Sequence, residues 1–348
     1  MSKSIKAQHP YRFFAQSIIN IIQQHHRKSI LPTFEVSMPT LFLTLFLLLT
    51  AAPAIANTDT GPSPWRPHQT QSGDGVIIHY YVAGDLNAGT TPLLVISGGP
   101  GSDHRYLRVG GAFEKISKHR PVVMFDQRGS GVAIDDEANW DFDLWASDVE
   151  AVRLALEAER IDLLGHSFGG LVAMSYAEQY PETLRSITFA GSSAPKLSDT
   201  RQLMADIYPD RFADWMAKRR TLTPRFAASE LSLFFSMEFV DPDKAVAYEK
   251  AVSDYVYRID LNNELRAQLT EKDYTETVSS LNIPVLIVHG RFDAIIAPSV
   301  AWSLHEMIEG SQIKFIEQAG HLAFAEAPEA FAAAVESMLD ALDGAEAH

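Results

Sequence analysis

A serine between two glycines, Ser167 in the motif GHSFG (165–169), is the first candidate for chemistry in this sequence. The motif follows the apolar run IDLL (161–164) and precedes a segment with helical spacing. A G-x-S-x-G motif between a strand and a helix is typical of a sharp turn that exposes the serine hydroxyl. Glycines on either side avoid clashes in such a strained turn. The sequence therefore predicts Ser167 as a nucleophile.

Ser167 needs a base, because a serine hydroxyl is a weak nucleophile near neutral pH. His321 follows the last predicted strand (313–316), and Asp293 follows the strand predicted over 285–288. Catalytic groups in open α/β sheets gather at the carboxyl ends of the strands, and the chain order serine, aspartate, histidine fits such a sheet. We therefore predict His321 as the general base and Asp293 as the residue that orients it.

Other histidines and acids compete less well for these roles. His289 lies at the end of a strand and is predicted to be structural, and His166 is expected to point away from the neighbouring nucleophile. His104 and His119 lie in loop or helix segments and are predicted to be on the surface. Asp199 is the first acid after the strand that follows the nucleophile helix, and it lies far from the end of that strand.

An oxyanion hole requires two backbone N–H donors near the nucleophile. The N–H of Phe168, the residue after the serine, is the first predicted donor. The second is expected from the turn SGGPG (97–101) after the apolar run 93–96. Proline has no N–H, so we predict Gly99 as the donor and assign Gly98 to close contact with the substrate.

Short apolar runs bounded by Gly and Pro alternate with helical patterns along most of the sequence. Such runs are typical of strands buried on both faces of a parallel sheet. Predicted strands cover residues 75–83, 93–96, 122–125, 161–164, 184–190, 285–288 and 313–316, and predicted helices cover 142–159, 170–179, 298–308 and 328–342. This alternation predicts an α/β protein with a mostly parallel, doubly wound sheet.

The alternation stops over residues 196–280, a stretch rich in Phe, Tyr and Trp with helical patterning and no clear strand. We predict that this stretch is an inserted helical lid. The core then consists of residues 57–195 and 281–348.

Composition limits the class of protein. The chain has 348 residues, 46% of them hydrophobic, which is enough for one large core. Its net charge of −15 argues against nucleic acid as a partner. The absence of cysteine excludes disulfides, thiolate metal sites and a cysteine nucleophile. Since no metal-binding or dinucleotide-binding motif is present, the predicted chemistry needs no metal and no cofactor.

The N-terminal 56 residues have the pattern of an export signal. A basic region precedes the uncharged apolar run 41–52, and the small-x-small pattern of residues 54–56 follows it. The apolar run is shorter than the roughly 20 residues of a spanning helix. We predict export to a periplasm or out of the cell, with cleavage after Ala56 and no membrane span in the mature chain. Met38 is an alternative start that gives the same mature protein.

Three motifs together resemble one family. SGGPG (97–101), DQRGSG (126–131) and GHSFGG (165–170) are similar to the motifs of the prolyl iminopeptidase branch of the α/β hydrolases. The resemblance covers about residues 75–195 and 283–328. It implies an α/β-hydrolase fold, a helical cap and removal of N-terminal residues, often proline, from peptides.

The resemblance also carries residue roles. It supports Ser167, Asp293 and His321 as the triad, and it implies that Asp126 and Arg128 form a structural ion pair beside the oxyanion loop. The chain departs from the family where Ser97 replaces the usual histidine and where Val-Ala (132–133) replaces the common Arg-Ser.

An aminopeptidase must recognise a cationic α-amine, and a buried carboxylate would do so through charge-assisted hydrogen bonds. Glu230 and Glu238 in the apolar stretch 229–240 are the candidates. The alternative for each is a solvated acid on a helix face.

Three functions remain open from the sequence. The first is an exported aminopeptidase acting on short peptides. The second is an esterase, lactonase or amidase for a small apolar molecule, favoured by the aromatic lid and by Ser97. The third is a binding protein that keeps the fold without turnover, against which the three predicted triad residues argue. The sequence gives no indication of oligomeric state.

Overall fold

A computed structural model describes residues 63–131, 139–253 and 255–346. The predicted export signal (1–56) and the departure at 132–133 lie outside these ranges. The described residues belong to a single unit that spans Asp59–His348. Within the described ranges, no helix combines the length and the apolar character that a membrane crossing requires.

An eight-stranded sheet forms the centre of the fold. Its strands lie in the spatial order β1-β2-β4-β3-β5-β6-β9-β10. The strand β2 pairs antiparallel with both β1 and β4, and all other neighbouring strands pair parallel. Ten strands occur in the described part of the chain: β1 (Arg66–Gln71), β2 (Ile77–Ala83), β3 (Leu93–Ile96), β4 (Val122–Phe125), β5 (Ile161–His166), β6 (Leu184–Ala190), β7 (Arg225–Ala227), β8 (Val256–Arg258), β9 (Val285–Gly290) and β10 (Gln312–Ile316).

The sequence patterns predict seven of these strands with bounds within two residues of those observed. The central strands β3 and β4 are buried along their whole length, as continuous apolar runs require. No sequence pattern predicts β1, whose residues RPHQTQ are mostly exposed and form one edge of the sheet. A polar edge strand has no apolar periodicity from which it could be recognised.

Helices cover both faces of the sheet. Alternate residues of β3 and β4 pack into two separate hydrophobic clusters, because successive side chains of a strand point to opposite faces. One face is covered by Ala112–Ile116 and Pro328–Glu346, and the other by Leu144–Ala155, Gly169–Gln179 and Pro298–Met307. The remaining core helices are Ala323–Glu326 and the short 3-10 helices His104–Arg108 and Pro181–Thr183.

Residues 196–280 lie between β6 and β9, which are neighbours in the sheet. This insertion is largely helical, but it also contains the antiparallel pair β7 and β8, which the sequence analysis does not predict. Three residues per strand are too few to show a periodicity. Its helices are Met204–Ile207, Pro209–Arg219, Ser232–Glu238, Pro242–Val252, Ile259–Gln268 and Thr275–Ser279, with 3-10 turns at Leu197–Asp199, Ala228–Leu231 and Leu269–Glu271.

Candidate active site

Ser167 occupies a strained turn between β5 and the helix Gly169–Gln179. Its φ of 55° lies in the left-handed region, which side chains other than glycine rarely adopt. A Cβ at Gly165 would lie 2.4 Å from the carbonyl oxygen of Gly169, and one at Gly169 would lie 2.6 Å from that of Ile96. Both glycines are therefore required by close backbone approach around the serine.

Asp293 and His321 come together at the carboxyl ends of β9 and β10. The His321 Nδ1 lies 2.7 Å from the Asp293 Oδ2. The other carboxylate oxygen accepts hydrogen bonds from the N–H groups of Ile295 at 2.8 Å and Ile296 at 2.9 Å. This arrangement fixes the carboxylate and directs it at the imidazole, which leaves the other ring nitrogen of His321 for proton transfer.

Burial alone would raise the pKa of Asp293, because a charged carboxylate is poorly solvated in the interior. Electrostatic attraction to His321 and the hydrogen bonds from His289 and His321 outweigh this effect and hold the pKa well below its usual range. His289, predicted to be structural, contacts the same carboxylate with its Nε2 at 3.2 Å. Asp293 is therefore ionised at neutral pH.

Ser167 and His321 line one cavity of about 410 Å³ beneath the 196–280 insertion. No hydrogen bond joins the Ser167 hydroxyl to the His321 ring in the part of the chain that the structure describes. Such bonds commonly tighten only when a substrate is bound.

The loop after β3 approaches the serine closely. Gly99, with φ 118°, and Phe168 both line the cavity, as two predicted oxyanion donors must. The N–H of Gly98 instead donates to the Tyr106 hydroxyl at 2.6 Å, so it is not available to a substrate. A Cβ at Gly98 would lie 3.0 Å from the Ser167 Cβ. Gly98 therefore makes room for the serine turn, contrary to the predicted contact with substrate.

His166 is predicted to point away from the nucleophile, but it packs against the catalytic histidine candidate His321. Its ring packs 4.9 Å from the ring of His321, and its Nε2 donates to the His321 carbonyl oxygen at 3.2 Å. Burial and the nearby His321 lower the pKa of His166 to about 3, so the ring is neutral. Its Nδ1 is then an acceptor, and the Tyr106 hydroxyl donates to it at 2.7 Å.

Residues 91–328 match the family described as the alpha/beta hydrolase fold. The chain belongs to this family. A proline iminopeptidase of Lactobacillus acidophilus is 29% identical over 292 residues, which cover 77% of this chain and 96% of the relative. One from Saccharolobus solfataricus is 27% identical over 281 residues, which cover 75% and 88% of the two chains.

Solved structures agree on the fold. The esterase RhEst1 from Rhodococcus sp. ECU1013 superposes with a TM-score of 0.65 at 24% identity, covering 79% of this chain and 99% of its own. The chain is therefore a hydrolase of the α/β fold, and its sequence is similar to the prolyl iminopeptidases.

The two carboxylates predicted to bind an amine have different surroundings in this hydrolase. Glu238, at the end of the helix Ser232–Glu238, is 5% exposed and lines the cavity. Its Oε2 is buried without a hydrogen-bond partner among the described residues. Burial raises the pKa of Glu238 well above its usual range, and the nearby charge of Asp293 raises it further.

Glu230 is exposed and pairs with Lys218 at 3.1 Å. It is therefore not the buried carboxylate expected from the sequence. The two glutamates lie eight residues apart in one apolar stretch, and only the packing of the insertion separates their environments.

The expected ion pair between Asp126 and Arg128 does not form. Arg128 is buried and bonds to Asp148 at 2.6 Å and Asp74 at 2.8 Å. Asp126 lies 2.6 Å from the Nδ1 of His104, which is buried although the sequence analysis expects it on the surface. His119, by contrast, has a largely exposed side chain. Arg128 and Asp126 thus each bond to a different partner instead of to one another.

One cluster of side chains has a spacing that could suit a metal ion. It consists of Asp103, His104 and Asp126, each of which places one oxygen or nitrogen atom within 4.8 Å of the other two. These side chains already bond to each other and to Arg105 and Arg108. Two neighbouring guanidinium groups disfavour a further cation there. The cluster is better explained as an ionic network that holds the 3-10 helix His104–Arg108.

Proposed function

We propose that this hydrolase is an aminopeptidase of prolyl iminopeptidase type that releases N-terminal residues from short peptides. The relatives named proline iminopeptidase support the class of reaction. The unpartnered Glu238 carboxylate in the Ser167 cavity is the observation that carries the proposal. A buried carboxylate without a partner is unfavourable unless a ligand supplies the missing charge, and a protonated α-amine does so.

In the proposed mechanism, the Ser167 Oγ attacks the carbonyl carbon of the first peptide bond while the His321 Nε2 takes its proton. Asp293 holds the imidazole tautomer and stabilises the imidazolium. The N–H groups of Phe168 and Gly99 stabilise the oxyanion. The imidazolium then protonates the leaving amine. Water activated by His321 hydrolyses the acyl-enzyme and restores the serine.

Three substrates test this function on the mature protein, residues 57–348. These are a proline arylamide, its N-acetylated form, and a short-chain nitrophenyl ester. We expect cleavage of the free-amine arylamide, strong resistance of the acetylated form, and loss of turnover in Ser167→Ala by several orders of magnitude.

Glu238→Gln separates amine recognition from chemistry. It should raise KM for the free-amine arylamide at least tenfold while leaving ester turnover within about twofold, because only the former substrate presents a cation. Glu230→Gln is the matched control and should change neither. Equal cleavage of the acetylated arylamide would disprove the aminopeptidase proposal.

A second candidate is an esterase or amidase for a small apolar molecule. The cavity lining favours it, because aromatic side chains of the insertion form much of the wall: Phe212, Trp215, Phe234, Phe235 and Tyr248. Ester cleavage that depends on Ser167 but not on Glu238, with no arylamide cleavage, would support this candidate instead.

We also propose that the mature enzyme is exported. The basic region, apolar run and small-x-small site of residues 1–56 support this. Sequencing the N-terminus of the protein recovered outside the cytoplasm should give Asn57 as the first residue. An intact N-terminus on all of the recovered protein would overturn the proposal.

A further inference from the structure

Among the charged side chains that line the cavity of Ser167, one glutamate and two arginines have no ion-pair partner among the described residues. Glu238 is buried in its wall, whereas Arg219 is half-buried and Arg266 is exposed where both line it. We call Arg219 and Arg266 the cationic rim. Their exposure, compared with that of Glu238, places them toward the solvent side of the cavity.

The two rim arginines lie beside one helix. Arg219, at the end of Pro209–Arg219, donates to the side-chain oxygens of Asn263 at 2.9 Å and Asn262 at 3.5 Å. Arg266 follows Asn262 by four residues on the helix Ile259–Gln268, and side chains with this spacing share a helix face. Both positive charges are therefore presented along the same side of the cavity.

Neither rim arginine pairs with a carboxylate among the residues that the structure describes. Arg128 and Arg185, by contrast, both bond to buried aspartates. The chain carries 44 acidic and 29 basic residues, so available carboxylates are plentiful. Two uncompensated guanidinium groups facing a substrate cavity provide a site for an anion, for which arginine is well suited.

The rim and Glu238 attach to different catalytic loops. The N–H of His321 donates to the backbone oxygen of Glu238 at 2.8 Å, which joins Glu238 to the histidine loop. Asn262, which contacts Arg219, donates to the carbonyl oxygen of Pro100 at 3.3 Å in the loop after β3. Glu238 and the rim are thus each linked to a different loop beside Ser167.

We propose that the cationic rim is an anion subsite for a carboxylate on the leaving-group side of the substrate. The preferred substrates are then di- and tripeptides whose free C-terminus reaches Arg219 and Arg266 while the α-amine contacts Glu238. This proposal rests on the aminopeptidase function above. A cavity of about 410 Å³ is at the small end of ligand pockets and suits such short peptides.

Binding to the inactive Ser167→Ala protein tests the rim without turnover. Isothermal titration would compare Pro-Ala, Pro-Ala amide and Pro-Glu amide. We expect Pro-Ala to bind about tenfold more tightly than its amide, since two partly exposed charge pairs are lost in the amide. Added salt should reduce the difference. Tighter binding of Pro-Glu amide than of Pro-Ala would show that the carboxylate comes from a side chain, contrary to the proposal.

Substitutions assign the effect to the rim. Arg219→Gln with Arg266→Gln, added to Ser167→Ala, should bring Pro-Ala and its amide within twofold of each other. Arg266→Gln alone, at an exposed position that should not affect folding, should remove about half of the effect on a logarithmic scale. Arg220→Gln, which makes the same charge change outside the cavity, should leave the tenfold preference intact.

Three outcomes would disprove the anion subsite. They are equal binding of Pro-Ala and Pro-Ala amide, no binding of either peptide, and a preference for Pro-Ala that persists in the double substitution. These outcomes are distinct from failure of the aminopeptidase proposal, because a proline arylamide has no carboxylate. If the arylamide is cleaved but acid and amide bind equally, only the rim fails. If it is not cleaved but Pro-Ala binds through the rim, only the aminopeptidase function fails.

Discussion

The buried carboxylate of Asp293 is contacted by several hydrogen-bond donors. His321, His289 and the N–H groups of Ile295 and Ile296 all approach its two oxygens within 3.2 Å. Every contact supplies a donor, so the site favours an ionised acceptor over any neutral group of the same shape. The orientation proposed for the His321 imidazole depends on this arrangement.

Asp293→Asn should therefore lower kcat by about 10³- to 10⁴-fold, because the amide NH2 faces donors and favours the wrong histidine tautomer. Steady-state kinetics with the nitrophenyl ester would measure the loss. Asp199→Asn, at an exposed aspartate, is the control and should stay near wild type. A loss of less than tenfold in Asp293→Asn would contradict the role proposed for Asp293.

Glu238 should make the stability of the enzyme depend on pH. Its raised pKa means that the folded protein holds the proton more tightly than the unfolded chain, so stability falls as pH rises above about 4.5, the ordinary glutamate pKa. Glu238→Gln removes this effect. We expect it to raise the free energy of unfolding by about 1–3 kcal/mol at pH 8, the scale of an unsatisfied buried polar group.

Urea unfolding at pH 4 and pH 8 would check this prediction. The gain should vanish near pH 4, where both states are protonated. Glu230→Gln should be neutral at both values, because Glu230 is exposed. A Glu238→Gln protein that is no more stable at pH 8 would show that the carboxylate already has a partner in solution.

At the scale of elements, the loop after β3 is held from two directions. Tyr106, in the 3-10 helix His104–Arg108, accepts from the N–H of Gly98 and donates to His166. The insertion holds the other end, since the N–H of Arg258 donates to the Gly101 oxygen at 3.1 Å and Asn262 contacts Pro100. The insertion therefore contacts the loop that carries the proposed oxyanion donor Gly99, as well as covering the cavity.

Tyr106→Phe should lower kcat about tenfold or more, with a smaller change in KM, for both the ester and the arylamide. The substitution leaves the Gly98 N–H without its acceptor, so the neighbouring Gly99 donor loses its position relative to the oxyanion. Tyr180→Phe, at a partly buried tyrosine away from the cavity, is the control. An unchanged kcat in a normally folded Tyr106→Phe protein would show that Tyr106 does not position the Gly99 donor.

At the scale of the whole molecule, an ionic network joins the last helix to the sheet. Arg185, 3% exposed, bonds to Asp162 of β5 at 2.5 Å and to Asp343 of the last helix at 2.6 Å. Arg120 approaches Asp162 at 3.9 Å and bonds to Asp340 and Asp343. Asp162 is 1% exposed, so it depends on these two guanidinium groups for compensation.

Arg185→Met should reduce the free energy of unfolding by about 3 kcal/mol, because it leaves a buried carboxylate with incomplete compensation. Activity at low temperature should remain, since the network lies away from the cavity. Arg160→Met is the matched control, because its pair with Glu346 is exposed and worth less than about 1 kcal/mol. Equal losses in the two variants, measured by urea unfolding, would contradict the role of the network.

Local patterns in the sequence were sufficient for much of the core. The apolar runs predict β3, β4 and β6 with their observed bounds, and the GHSFG motif predicts the turn at Ser167. Asp293 and His321 follow predicted strands, and the structure brings their side chains to 2.7 Å. These features depend on periodicity and on glycines at close approach, which are properties of neighbouring residues.

The tertiary structure alone decided which polar groups meet. Sixty residues separate Tyr106 from His166, and nothing in either segment indicates the contact. Glu238 and Glu230 share one apolar stretch, yet one lines the cavity and the other faces solvent beside Lys218. The helix Ser232–Glu238 is short and rich in apolar residues, so it has no clear polar face in the sequence. Its orientation, and with it the position of Glu238, follows from long-range packing. Because hydrogen bonds and ion pairs between distant segments leave no local pattern, they became visible only in the folded chain.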